Sequence, residues 1–85
     1  MQQFRIAVHI IPRRGILDPQ GKAVEGALRS LGFDGVQEVH VGRYIVIETR
    51  ADNESTAIDS VRTMCERLLA NPVIEDFEIE AAVTA

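Results

Sequence analysis

Arg13 and Arg14 stand side by side just ahead of Gly15, and of all the residues in this chain they are the best suited to grip another molecule. Guanidinium forks match phosphate and carboxylate oxygens alike, and a glycine lets backbone come close to whatever is held. The plainer account is a solvated pair that keeps the end of a strand soluble. Asp18 carries a carboxylate in the pair Asp18-Pro19, where its first use is to cap a helix, and the sequence sets no catalytic histidine or lysine next to it. Gly21-Lys22-Ala23 has the outline of a phosphate loop but lacks the hydroxyl after the lysine and the upstream glycine spacing. His9 and His40 could titrate near neutral pH, yet their alternating surroundings fit half-exposed or interfacial positions on strands. Cys65 sits in an apolar helical stripe and reads as a small core residue, not as a nucleophile. Glu75, Asp76, Glu78 and Glu80 could hold a divalent ion, although a charged strand edge that resists aggregation explains them more simply. No nucleophile–base pair emerges, and no pair of carboxylates is arranged for acid–base work. The chain gives no sign of catalysis by itself.

The elements that must carry these groups follow from hydrophobic spacing. Phe4, Ile6, Val8 and Ile10 alternate with Arg5, Ala7 and His9, which predicts a half-buried strand from about Gln3 to Ile11. Asp18 caps and Pro19 opens a helix whose Val24, Ala27, Leu28 and Leu31 share one face. Lys22, Glu25 and Arg29 fall on the other face, and Gly32 ends the helix. Val36 to Val41 predicts a second strand, Gly42-Arg43 a tight turn, and Tyr44 to Arg50 a third strand. That third strand is apolar on both faces, with Ile45 and Ile47 on one and Tyr44 and Val46 on the other. Asp52 or Asn53 caps a second helix with a stripe of Ala57, Ile58, Val61, Met64, Cys65, Leu68 and Leu69. Asn71-Pro72 stops it, and Val73 to Ala81 predicts a fourth strand.

The order βαββαβ predicts an α+β domain, ferredoxin-like or a close variant. Its four-stranded, mainly antiparallel sheet would carry two helices on one face. The uncovered face, marked by Tyr44 and Val46, is then expected to pair protomers, so that the molecule assembles through sheet packing. The link Pro12 to Leu17 is longer than its counterpart in the second half, and a functional contact is expected there.

Size and charge narrow the classes of partner. A chain of 85 residues forms one domain, residues 1–85, with a core worth only a few kcal/mol. A single cysteine allows no internal disulfide, so self-association is the expected reinforcement. A net charge of −4 and a pI near 5.0 argue against nucleic acid, and no apolar run is long enough to span a membrane. The lone thiol and the absence of a signal-peptide profile point to the cytoplasm.

Four stretches, read together, are similar to the PurS family, the small subunit of phosphoribosylformylglycinamidine synthase. They are the run from Gly15 through Ile16-Leu17-Asp18-Pro19-Gln20-Gly21-Lys22 to Val24, then Leu31-Gly32-Phe33, then Val41-Gly42-Arg43-Tyr44-Ile45, and finally Cys65 to Phe77. The resemblance runs from about Phe4 to Ile79, with Arg43 where the family often carries lysine. It implies a non-catalytic subunit that joins a glutaminase subunit (PurQ) to an ATP-dependent synthetase subunit (PurL) and supports ammonia transfer. The complex would convert formylglycinamide ribonucleotide, glutamine and ATP to formylglycinamidine ribonucleotide in purine biosynthesis. ATP and Mg would belong to the synthetase, with no cofactor, nucleotide or metal held by this chain alone. A homodimer or homotetramer is expected. Arg13, Arg14, Gly15, Asp18, Pro19, Gln20 and Lys22 are the expected partner-docking residues, with Tyr44 and Val46 for self-association. The alternative is a small-molecule-sensing regulatory dimer of the same βαββαβ type. A stand-alone acylphosphatase-like enzyme shares the element order, but Gly35-Val36-Gln37 lies in the wrong context for its phosphate loop.

Overall fold

The computed structural model describes residues 1–80 and 82–84. Strand β1 (Gln2–Pro12) is the centre of the sheet, and the alternation read from the sequence sets its two faces. Phe4, Ile6, Val8 and Ile10 are buried, whereas Arg5, Ala7, His9 and Ile11 face the other way. Strand β2 (Arg43–Ala51) pairs antiparallel with β1 along its whole length, from Gln2 opposite Ala51 to Ile10 opposite Arg43. Strand β3 (Glu75–Ile79) pairs antiparallel on the opposite edge, with Val8 facing Ile79 and Pro12 facing Glu75. A two-residue strand, β4 (Val83–Thr84), meets β1 at Phe4 and Arg5. The main sheet is therefore three-stranded and antiparallel, in the order β2-β1-β3.

Helix α2 (Glu54–Met64) covers one face. Asn53, not Asp52, is its N-cap and accepts from the Thr56 N–H at 2.9 Å. Ala57, Val61 and Cys65 press onto Phe4, Ile6, Val8 and Ile10, and all but Phe4 are completely buried. The helix then widens into a π-helical turn, Cys65–Leu69, closed by the Ala70 N–H on the Cys65 carbonyl at 3.0 Å. The wider turn rotates the side chains after Cys65. Leu69 and Ala70 point inward and Leu68 is 82% exposed, which corrects its expected place in the buried stripe.

Three expectations fail together in the first half of the chain. Residues Val36 to Val41 form no strand, Gly42-Arg43 forms no hairpin, and the two helices do not share a face. Helix α1 (Pro19–Ser30) stands off the end of the sheet. Its polar side, not its apolar side, packs against the chain. Glu25 is buried between Lys22 (3.6 Å) and Arg29 (3.5 Å), while Val24 is 41% and Leu31 74% exposed. None of the buried apolar residues lies between residues 13 and 42. The reason is tethering. At the close approach of Gly42 to the Ile10 carbonyl a Cβ would collide, and the chain passes straight from there into β2 without the reversal a hairpin needs. The molecule is accordingly elongated, 51 × 26 × 14 Å, with a radius of gyration of 16.4 Å. A compact chain of this length would have about 12 Å. The fourth predicted strand is shorter than expected as well. Val73 and Ile74 lie in a turn, β3 begins at Glu75, and the expected end at Ala81 lies outside the described residues.

Candidate functional site

A 12-residue helix without a core beneath it is marginal in water, so α1 and the segment after it must be held by specific polar contacts. Asp18 supplies those at the N-terminal end. Its Oδ1 accepts from the Gly21 N–H at 3.0 Å, as an N-cap does, and its Oδ2 accepts from the Val41 N–H at 2.9 Å. His40 Nδ1 lies 3.7 Å from the same Oδ2, and Glu38 is 3.6 Å from the other ring nitrogen. The two backbone donors, with His40 beside them, hold the Asp18 carboxyl below its usual pKa of 3.8. At the far end of the helix, Arg29 donates to the carbonyls of Val36 (3.0 Å) and Gln37 (2.9 Å). Gly32 follows in the left-handed region, φ 99°, as a C′ residue. Gly21 lies so close to the Val39 carbonyl oxygen that any side chain there would collide with it. One edge of residues 36–41 is thus sealed against α1.

The expected docking residues divide among several surfaces. Gly15 (φ 79°), Asp18 and Lys22 meet Glu38 and His40 around a cavity of about 210 Å³. Pro19 and Gln20 border a second depression with Leu17, Val41 and Ile74. Arg14 lines a groove of about 580 Å³ with Ile11, Pro12, Gly15, Glu38 and His40. Arg13 goes elsewhere. Its backbone N–H donates to the Ile74 carbonyl at 2.8 Å, and its Nε donates to Asp76 Oδ1 at 3.1 Å. The adjacent arginines diverge and do not form one clamp, because Asp76 at the end of β3 captures the first.

Two more residues of the acidic cluster, Glu75 and Glu80, are engaged in the same way. Glu75 accepts from Arg43 at 2.6 Å and from the Asn71 N–H at 2.8 Å, and those bonds, led by the one from Asn71, lower its pKa. His9 bonds Glu80 at 2.5 Å. Among the described residues, no group of three His, Cys, Asp or Glu is placed to hold a metal ion. Cys65 is fully buried, and burial pushes its thiol pKa up, which favours the unreactive form.

Tyr44 and Val46 occupy a separate surface, the sheet face away from α2. Val46 pairs with Ala7 and Tyr44 with His9, whose ring meets the Tyr44 ring edge-on at 4.8 Å. Ile11 extends this apolar strip, and Arg5, Glu48, Asp76 and Glu78 lie on the same face around it. Tyr44 is 58% and Ile11 46% exposed, so the strip is open to contact.

Sequence reading missed His40 as the partner of Asp18, since 22 residues separate them and only the return of residues 36–41 along α1 joins them. Alternating valines at Val39 and Val41 signalled an extended segment but not what it would lie against.

Comparison with known proteins adds independent support. The family model described as PurS, phosphoribosylformylglycinamidine (FGAM) synthase, matches residues 5–83. A PurS subunit of that synthase from Synechocystis is 44% identical, over 95% of this chain and 86% of its own length. PurS from Thermus thermophilus superposes with a TM-score of 0.85 at 41% identity, covering 98% of both chains. A chain of PurLQS from Thermotoga maritima gives 0.85 at 34% identity, over 94% of this chain and 98% of that one. With such agreement along nearly its whole length, the chain belongs to the PurS family.

Proposed function

We infer that this chain is the PurS subunit of a phosphoribosylformylglycinamidine synthase, a glutamine-dependent ligase complex of purine biosynthesis. The observation that carries this reading is the likeness to a chain of an assembled PurLQS complex across almost the whole fold. The subunit does no chemistry of its own. It supports assembly of the glutaminase and the synthetase, so that ammonia released by one reaches the other. Its charged grooves and exposed apolar strip suit protein partners. The synthetase supplies the ATP and Mg chemistry, and the reaction takes place in the cytoplasm, where a buried free thiol such as Cys65 stays reduced.

Docking falls to the Pro12–Lys22 side of the molecule. Arg14, Gly15, Asp18 and Lys22 frame its grooves, with Pro19 and Gln20 beside them. The strip around Tyr44 and Val46 pairs copies of the chain face to face, within a homodimer or homotetramer. Reconstitution tests the reading. Glutamine-dependent formation of formylglycinamidine ribonucleotide is expected only when this chain is added to the synthetase and glutaminase subunits. Full activity without it would overturn the role. The double change Arg13→Glu, Arg14→Glu is expected to weaken complex formation by roughly tenfold or more, since it reverses charge at Arg14 in the docking groove and breaks the Arg13–Asp76 bond beside it. Unaltered assembly would remove these arginines from the docking surface.

A further inference from the structure

The π-helical turn that ends α2 leaves its last carbonyls without donors. A helix usually closes that end with N–H groups of the following residues or with a cationic side chain. Here the Asn71 N–H donates to the Glu75 carboxylate at 2.8 Å, Pro72 has no N–H, and the Val73 N–H donates to the Asn71 side chain at 3.0 Å. Among the described residues, none beyond Ala70 donates to the carbonyls of Glu66, Arg67, Leu68 or Leu69. The negative end of the helix dipole is therefore uncovered. Beside it lies a cavity of about 350 Å³, with buried Cys65 and Ala70 and half-buried Phe77 as its apolar floor and exposed Glu66 and Asp76 at its rim. Arg13 also lines it, but its guanidinium is turned to Asp76 at 3.1 Å. Glu66 makes no ion pair or hydrogen bond among the described residues.

We propose that this cavity takes a lysine or arginine side chain presented by one of the larger subunits of the complex. The aliphatic stem lies on Cys65, Ala70 and Phe77, and the charged head meets the Glu66 carboxylate and the free carbonyls of the helix end. Charge complementarity argues for a cation, because Glu66, Glu75 and Asp76 outweigh the single guanidinium of Arg13 in the lining. A protein is the fitting source of that cation. The same two turns expose Leu68 (82%) and Val73 (73%), apolar groups that a free amine or a metal ion would leave in water. This inference rests on the subunit role proposed above and adds a docking surface separate from the grooves around Arg14, Asp18 and Lys22 and from the Tyr44–Val46 strip.

Glu66→Lys tests the site, since an exposed side chain with no partner in its own chain can be exchanged while the protomer stays folded. Asp52→Lys makes the same change in net charge at an exposed position away from the cavity and serves as the control. The chain is titrated into the synthetase and glutaminase subunits, and synthase activity is followed. The concentration giving half-maximal activity is expected to rise roughly tenfold or more for Glu66→Lys and to stay at the wild-type value for Asp52→Lys. Glu66→Gln should fall between them. The maximal rate at saturation should not change, nor should the circular dichroism and sedimentation of the isolated chain. A wild-type titration curve for Glu66→Lys would overturn the site and leave the subunit role standing, whereas full activity with no added chain would overturn that role itself. Equal weakening by Asp52→Lys would trace the effect to overall charge and overturn the site. So would a loss of self-association in Glu66→Lys, which would assign the surface to a second copy.

Discussion

Asp18 shows how one side chain can serve two distances at once. As an N-cap it satisfies the Gly21 N–H, and the same carboxylate ties down the Val41 N–H, 23 residues on. The first use was legible in Asp18-Pro19, because capping depends on neighbours in sequence. The second was not, because it exists only once residues 36–41 have run back along α1. Asp18→Ala is expected to lower the melting temperature by about 5 °C and to release the Val41 amide to exchange. The pH dependence follows from the lowered pKa values of Asp18 and Glu75. A carboxyl whose folded pKa lies below its unfolded value binds fewer protons when folded. Its contribution is complete above the ordinary carboxylate range and is lost as pH falls through the folded value. Melting temperature should therefore be flat from neutral pH down to about 5 and decline below 4, with a shallower decline in Asp18→Ala. An equally steep acid decline in the variant would mean that Asp18 is not the group responsible.

At the level of elements, the sequence identified what repeats locally and missed what depends on a neighbour's position. The period of two in β1 and the caps of both helices were readable, since each is decided within a few residues. The strand expected at Val36–Val41 has the right alternation, but a strand exists only with a ladder, and the pattern cannot say which chain supplies it. The rotation of Leu68 out of the core was hidden for a related reason. A π-helical turn is one residue wider than the spacing that sequence periodicity assumes. The join at Gly42 decides where the arm departs. Gly42→Ala would drive a methyl group into the Ile10 carbonyl, and urea unfolding is expected to show a loss of about 1–3 kcal/mol. No measurable loss would show that the β1–β2 end can shift to make room.

For the molecule as a whole, shape carries the argument. The elongated form leaves Leu17, Leu31 and Phe33 more than half exposed, in addition to the strip that includes Tyr44 and Ile11. Each large apolar side chain left in water forgoes up to about 1.5–3 kcal/mol, which is comparable to the whole net stability of so small a core. Self-association of the kind proposed would recover that energy, and the melting temperature is then expected to rise with protein concentration. Placing charges in the sheet-face strip with Tyr44→Glu and Val46→Glu costs several kcal/mol when the strip is covered. The double variant is expected to sediment as a smaller assembly, and an unchanged sedimentation profile would show that the strip stays open to solvent.

The chain leaves the sheet after Pro12 and rejoins it at Arg43, opposite Ile10, within a few residues of its departure. Everything in between is a loop-out that contributes no buried apolar residue to the core of its own protomer. That block can be inherited or transplanted as a unit. Grafting the corresponding stretch from a relative would change which surfaces the subunit recognises while the strands beneath it fold as before.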